Sequence, residues 1–98
     1  MRLRVEEKEK IVQCAKDIFG NEIKLYLFGS RVDDNKKGGD IDLFLESEEA
    51  VDMQTQIKFL TATYKNITQR KIDLLIKTPL SKELPIYSTA KNEGVLLC

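Results

Sequence analysis

The sequence predicts an α+β fold in which a small β-sheet is covered by helices. Three short segments, at 23–28, 39–45 and 71–77, alternate apolar side chains with other residues as half-buried strands do. Around them, apolar residues recur at the spacing of amphipathic helices. A chain of 98 residues is long enough to bury one core, so we expect a single domain over residues 1–98.

A first helix is predicted before the first strand. Gly20-Asn21 gives it a stop signal, and its apolar stripe is interpreted as core. We interpret the cysteine of this stripe as a small core residue and not as a reactive thiol. The stripe consists of Ile11, Cys14, Ala15, Ile18 and Phe19.

The first strand runs directly into a Gly-Ser turn at Gly29 and Ser30. A glycine at this position allows the backbone to approach a ligand closely or to adopt positive φ. Ser30 can cap a short helix, and the free amides at a helix start attract phosphate. Ordinary strand-to-helix turns use the same residue types, so the turn becomes specific only together with the acidic strand after it. The predicted buried face of the first strand carries Ile23, Leu25 and Leu27.

Three aspartates are predicted to lie on one face of the sheet. Asp40 and Asp42 alternate with apolar residues in one strand, and Asp73 does so in another. Two carboxylates ~6 Å apart repel by roughly 3 kcal/mol at an effective dielectric of ~20, so such a cluster needs a cation, shared protons or water. Mg²⁺ typically binds one or two carboxylates together with substrate phosphates. One Asp-x-Asp alone would indicate a solvent-facing strand, but the third acid favours a metal site.

Two further helices are predicted on either side of the last strand. The first is expected to start at Ser47, with Glu48 and Glu49 at the positive end of its dipole. The second is expected between Pro85 at its first position and Gly94 just past its end. The apolar residues of both helices are interpreted as core packing: Met53, Ile57, Leu60 and Tyr64 in the first, and Ile86 and Tyr87 in the second. For the two residues of the second helix, the alternative is an exposed apolar surface that serves assembly with a partner or a second copy.

Composition excludes several classes of function. Basic and acidic residues balance at 16 each, so the global charge does not indicate nucleic-acid binding. The absence of histidine excludes histidine bases, histidine-ligated zinc and histidine-dependent nucleophile triads. Two lone cysteines and no apolar run of membrane-spanning length lead us to expect a cytoplasmic protein.

The order of these features resembles the nucleotidyltransferase motif of the DNA polymerase β-like superfamily. Leu27-Phe28-Gly29-Ser30 is followed, after nine residues, by Asp40-Ile41-Asp42-Leu43, and Asp73 takes the place of the third acid on a later strand. The whole chain, up to Asn92-Glu93-Gly94-Val95-Leu96-Leu97, resembles the minimal nucleotidyltransferases, or MNT proteins. The resemblance implies a polymerase β palm-like nucleotidyltransferase fold, a small mixed β-sheet with helices packed on one face.

The resemblance also implies a chemistry for these residues. The expected reaction transfers AMP from ATP to a hydroxyl group and releases pyrophosphate, with one or two Mg²⁺ ions as cofactor. Asp73 would complete a second metal site or help to deprotonate the hydroxyl. The implied catalytic and metal-binding residues are Asp40, Asp42 and Asp73, and the implied nucleotide-binding residues are Gly29, Ser30 and Arg31.

The acceptor is left open by the residues themselves. Minimal nucleotidyltransferases often act as the antitoxin of a HEPN-domain toxin, which implies AMP transfer to a tyrosine of that toxin and loss of its ribonuclease activity. Two alternatives are a non-catalytic antitoxin that neutralises its partner by binding, and a small-molecule nucleotidyltransferase that forms its acceptor pocket by dimerisation. Homo- or hetero-oligomers fit these hypotheses, and no direct contact with nucleic acid or membrane is expected.

Overall fold

The structure is a computed structural model that describes residues 5–28 and 41–98. In these ranges the elements are α1 (Val5–Phe19), β1 (Ile23–Phe28), β2 (Ile41–Ser47), α2 (Met53–Asn66), β3 (Ile72–Lys77), α3 (Pro85–Glu93) and β4 (Val95–Leu96). The sheet has the strand order β3-β2-β1-β4. Strand β2 is antiparallel to β1 and parallel to β3, while β4 is antiparallel to β1. This mixed sheet confirms the predicted fold class. None of the described helices combines the length and apolar character needed to cross a bilayer.

Helices α1 and α2 cover one face of the sheet, where alternate strand residues form an apolar row. The rings of Phe19 and Phe59 join the two helices, with centroids 5.3 Å apart. The predicted α1 stripe is confirmed, since Ile11 and Ala15 are buried and its other members pack against the core. The buried residues of this core are Ile11, Ala15, Ile23, Leu25, Leu27, Ile41, Leu43, Leu45, Phe59 and Ile72.

Cys14 lies at the border of this core. Burial raises the pKa of its thiol, and a hydrogen bond with Thr63 opposes the rise. A raised pKa reduces the thiolate population, which is the reactive form. Its environment therefore agrees with the interpretation of Cys14 as a packing residue.

The third helix corrects one part of the predicted architecture. Tyr26 and Phe44 alternate with the core residues, so they lie on the opposite face of the sheet, and both are buried there. Tyr87 and Ala90 of α3 cover them, and Phe44 stacks between the rings of Tyr26 and Tyr87 at centroid distances of 5.7 Å. Packing on one face thus holds for α1 and α2, while α3 covers aromatic side chains on the other. Tyr87 is core as predicted.

The start of α2 differs from the prediction at Ser47. This residue still pairs with Ile23 at the end of β2, and its hydroxyl accepts a hydrogen bond from the Glu49 N–H at 3.1 Å in a turn. The helix instead begins at Met53, because the Asp52 side chain caps it and accepts a hydrogen bond from the Thr55 N–H at 2.8 Å. The hydrogen bonds from Thr55 lower the pKa of the Asp52 carboxyl group.

The predicted core stripe of α2 is confirmed for Leu60, which packs against the core, and is wrong for its exposed members. Met53 and Ile57 are 66% and 54% exposed, and the buried residues of the helix are Phe59 and Thr63. Thr63 is tolerated in the core because its hydroxyl donates a hydrogen bond to the Phe59 carbonyl at 2.8 Å. The interpretation of Ile86 as core is wrong as well, since its side chain is 48% exposed.

Gly94 brings the end of α3 close to β1. A Cβ at this position would meet the carbonyl oxygen of Ala90, and it would lie 3.0 Å from the Leu27 carbonyl oxygen and 3.3 Å from the Phe28 Cβ. We expect Gly94→Ala to lower the free energy of unfolding by ~1–3 kcal/mol, because the added methyl would overlap the Ala90 carbonyl of α3 and press against the Leu27 carbonyl of β1.

Urea denaturation measures this difference. Asn92→Ala, an exposed change on the same helix, is the matched control and should stay within ~0.5 kcal/mol of the wild type. Equal stability of Gly94→Ala and the wild type would contradict the close approach of α3 to β1.

Candidate active site

The two described aspartates of the predicted cluster lie side by side on the sheet. Strands β2 and β3 run parallel with Asp42 in register with Asp73. Neighbouring strands are ~4.8 Å apart, and residues in register lie on the same face. Both aspartates are therefore on the face opposite the core formed by α1 and α2. The shared face that the sequence predicts for these two acids is observed, while their chemical roles remain predictions.

The other predicted site residues lie outside the described residues. They belong to the segment that joins β1 to β2, which leaves β1 at Phe28 and enters β2 at Ile41. Phe28 pairs with Asp42 in the antiparallel ladder, so both ends of this segment lie at the end of the sheet that carries the acids. The residues concerned are Gly29, Ser30, Arg31 and Asp40.

Asp73 is exposed and forms an ion pair with a lysine of its own segment. The Lys71 ammonium lies 3.6 Å from an Asp73 carboxylate oxygen, and the two side chains are 69% and 46% exposed. Because water screens such a pair, it contributes at most ~1 kcal/mol. Asp73 thus has a neighbouring positive charge and remains accessible from solvent. Lys71 lies two residues before Asp73 and therefore on the same face of the strand, but no sequence motif distinguishes it from an ordinary surface lysine.

The donor chemistry of Asp42 and Asp73 fits Mg²⁺. Both offer hard carboxylate oxygens, and among the described residues neither is fully buried. Mg²⁺ would take its remaining ligands from water and substrate phosphates. Within residues 5–28 and 41–98, no group of three or more His, Cys, Asp or Glu side chains is arranged to hold a metal ion. A pair of carboxylates completed by phosphates is the arrangement that Mg²⁺ commonly uses.

A partly buried ion pair supports the acid-bearing end of the sheet from the core side. Arg70 donates a hydrogen bond to Glu7 of α1 at 3.1 Å, and their side chains are 18% and 6% exposed. The next residue, Lys71, accepts a hydrogen bond from the Ile41 N–H at 2.8 Å through its carbonyl. The start of α1 is thereby tied to the start of β2 and β3. Sequence reasoning missed this pair because its members are distant in the chain and each has the composition of a surface residue.

The far end of the same sheet face carries mixed charges. Lys91 of α3 lies 3.4 Å from a Glu46 carboxylate oxygen, and Lys77 lies 3.0 Å from one of Glu83. A recess of about 290 Å³ borders Lys24, Glu46 and Lys91. Lys91 and Glu46 pair with each other there, and the recess lies at the opposite end of β2 from Asp42. We therefore assign the candidate site to the acid-bearing end of the sheet and not to this recess.

Comparisons with known proteins identify the family and the fold. A family model described as a nucleotidyltransferase domain matches residues 8–97. No curated protein matches the chain at a significant level.

Several solved structures share the fold, and they are toxin–antitoxin complexes. A chain in the complex of the tri-AMPylated Shewanella oneidensis HEPN toxin with MNT antitoxin aligns with a TM-score of 0.69 at 18% identity, covering 95% of this chain and 70% of that one. A structure of a toxin–antitoxin with AMP-PNP aligns with a TM-score of 0.72 at 18% identity, covering 93% of this chain and 72% of that one. The toxin–antitoxin MntA-HepT gives 0.69 at 16% identity, with 97% and 72% covered.

The family match includes the candidate site. The matched range contains Asp42, Asp73 and the segment that joins β1 to β2. It extends over nearly the whole chain, and the mixed sheet that positions the acids is the fold of the solved structures above. The chain belongs to the nucleotidyltransferase domain family.

Proposed function

We propose that this chain is a Mg²⁺-dependent nucleotidyltransferase that transfers AMP from ATP to a tyrosine of a HEPN-domain toxin and so acts as its antitoxin. The observation that carries the proposal is the register of Asp42 with Asp73 on an accessible face of a nucleotidyltransferase domain. The donor and acceptor are suggested by similar solved structures, one with AMP-PNP and one with a tri-AMPylated HEPN toxin beside an MNT antitoxin.

The reaction exchanges one bond at phosphorus for another. The acceptor oxygen bonds to the α-phosphorus while the bond to the bridging oxygen of pyrophosphate breaks, and the hydroxyl proton leaves to a base or to water. A Mg²⁺ ion held at the candidate site would polarise the α-phosphate and offset the charge of the leaving pyrophosphate. In our proposal Asp42 and Asp73, together with Asp40, hold that ion.

The contribution of the protein is positioning and charge. Paired strands hold Asp42 and Asp73 next to each other, so little ordering is needed when substrate arrives. The alternative role for Asp73, which lies at the exposed edge, is to accept the hydroxyl proton in place of binding the ion. Lys71 adds a positive charge beside Asp73 that attracts phosphate oxygens.

The segment between β1 and β2 supplies the proposed phosphate contacts. Gly29, Ser30 and Arg31 come directly after Phe28, whose main chain pairs with Asp42. Amide and hydroxyl donors together with a guanidinium suit the β- and γ-phosphates of ATP. Their closeness in sequence to the paired residues supports a role in the same site.

ATP with Mg²⁺ should raise the melting temperature of the chain, because a ligand selective for the folded state stabilises that state. We expect Asp42→Asn to remove most of the Mg²⁺-dependent part of this rise. The control is Glu46→Gln, a carboxylate on the same strand and face that is paired with Lys91 at the far end. Differential scanning fluorimetry with and without Mg²⁺ measures the effect. An unchanged rise in Asp42→Asn would refute its role as a metal ligand.

Asp73 is expected to matter for function and little for folding. Without metal, Asp73→Asn should change the free energy of unfolding by less than ~1 kcal/mol, because only the exposed pair with Lys71 is lost. Asp52→Ala is a contrasting control that removes the cap of α2 and should lower the melting temperature. Thermal and urea denaturation compare the two. If Asp73→Asn destabilises the chain as much as Asp52→Ala, Asp73 is a structural residue.

Transfer to the partner is tested by mixing the chain with its HEPN protein, labelled ATP and Mg²⁺. The wild type should add AMP to the partner, most of it on tyrosine, and Asp42→Ala should reduce labelling at least ~100-fold, because the transition-state charge loses part of its metal clamp. Complex formation should persist in this variant, and Glu46→Gln should label like the wild type.

Two outcomes would favour the alternative functions. Neutralisation of the toxin in cells by Asp42→Ala as efficient as by the wild type would mean that binding suffices. Labelling of a small hydroxyl compound, with none on the protein, would indicate a small-molecule nucleotidyltransferase.

A further inference from the structure

Strand β3 forms an outer edge of the sheet. Two observations show which residues of β3 direct their main-chain N–H and C=O groups towards β2. The Ile41 N–H donates a hydrogen bond to the Lys71 carbonyl, and Ile41 is paired with Ile72. In this parallel pattern the main-chain groups of residues 71, 73, 75 and 77 point towards β2, and those of residues 72, 74 and 76 point outwards. The outer edge therefore offers donors and acceptors at three alternate residues.

One of these three positions is already occupied. The Ile72 N–H donates a hydrogen bond to the Tyr64 hydroxyl at 2.8 Å. The same hydroxyl donates a longer hydrogen bond, of 3.5 Å, to the Ile72 carbonyl. Within the part of the chain that the structure describes, no residue pairs with the outward groups of Leu74 and Ile76. The open edge thus consists of two residues with a defined spacing.

An apolar flank of α2 runs beside this edge. We call it the α2 flank and define it by Met53, Ile57 and Tyr64, which are 66%, 54% and 39% exposed. Their spacing places them on one side of the helix, and the contact of Tyr64 with Ile72 shows that this is the β3 side. An open strand edge beside exposed apolar side chains is a surface that proteins normally cover.

We propose that this edge pairs with the same edge of a second copy of the chain, antiparallel and around a two-fold axis at Leu75. In this register Leu74 of one copy faces Ile76 of the other, so the open groups of both strands bond to each other. A two-fold axis at Leu74 would instead require the outward main-chain groups of Ile72, and the Ile72 N–H already donates a hydrogen bond to the Tyr64 hydroxyl. An axis at Ile76 would require Thr78, whose N–H donates to the Ser81 hydroxyl at 3.0 Å.

The same register is self-complementary in charge. It places Asp73 opposite Lys77 of the second copy, and Lys77 opposite Asp73 of the second copy, on one face of the joined sheet. Each of these side chains also has a partner of opposite charge in its own chain, Lys71 for Asp73 and Glu83 for Lys77. The pairs between the two copies are non-hydrogen-bonded pairs, in which opposing Cα atoms are only ~4.5 Å apart. A contact around a two-fold axis requires a surface whose charges are complementary to themselves, whereas pairing with an unrelated strand has no such requirement. The charges therefore favour a second copy as the occupant.

The opposite edge of the sheet is a weaker candidate. Strand β4 has two residues, Val95 and Leu96, whereas β3 has six. Across the proposed axis the two α2 flanks would face each other on the core side of the joined sheet. The exposed apolar residues Met53, Ile57 and Tyr64 of one chain would then be covered by the α2 flank of the other.

Sedimentation velocity over a concentration series tests this pairing, without nucleotide or divalent metal so that its outcome is independent of the proposed function. The wild type should pass from monomer to dimer with rising concentration. Lys77→Asp should weaken the dimer at least ~10-fold, because like charges then face each other, and so should Asp73→Lys. The double variant with both changes should restore dimerisation, which loss of folding could not explain.

Replacing one exposed apolar residue near each edge of the sheet shows which edge, β3 or β4, forms the contact. Ile57→Glu should weaken the dimer, and Leu96→Glu on β4, which is equally exposed at 54%, should leave it unchanged. A wild type that stays monomeric at all concentrations overturns the proposal, as does a dimer that is insensitive to the charge exchange. If Ile57→Glu instead weakens binding of a HEPN protein to a monomeric chain, the occupant is that protein and the second copy is excluded.

Discussion

The parallel pairing of β2 with β3 is the constraint on which the rest of the structure depends. It places Asp42 beside Asp73, and a slip of one residue would turn Asp73 towards the core and Ile72 or Leu74 towards solvent. Parallel neighbours need a crossover connection, and α2 supplies it on the face that carries the apolar row. The connection therefore also decides which face remains for the acids.

Two neighbouring carboxylates can be kept at this position because the site is only partly buried. Deep burial would favour protonation, since a low dielectric strengthens repulsion and removes hydration. Here water reaches Asp73, and Lys71 lies beside it at 3.6 Å. The tighter ion pair, between Arg70 and Glu7, lies behind the strands and fixes the backbone from which the acids project. Rigidity and accessibility are thus provided by different side chains.

The elements that depend on local sequence could be predicted, and those that depend on distant contacts could not. Strand alternation placed Asp42 and Asp73 correctly because side-chain direction is set by neighbouring residues alone. The spacing of Met53, Ile57 and Tyr64 indicates one side of a helix, but it does not say whether that side meets the core. The true core residue Thr63 has a polar side chain that is satisfied within the helix. The Arg70–Glu7 pair depends on the finished fold.

A clue to the position of α3 was present in the strands. Leu25-Tyr26-Leu27 and Leu43-Phe44-Leu45 are apolar at consecutive positions, a pattern typical of strands that are covered on both faces. Helix α3 provides the second cover over Tyr26 and Phe44 and leaves the row of Asp42 and Asp73 next to it. An acceptor that approaches these acids must therefore avoid α3. Because Asp73 belongs both to the β3 edge and to the acid face, any protein that covers the edge also controls access to the carboxylates.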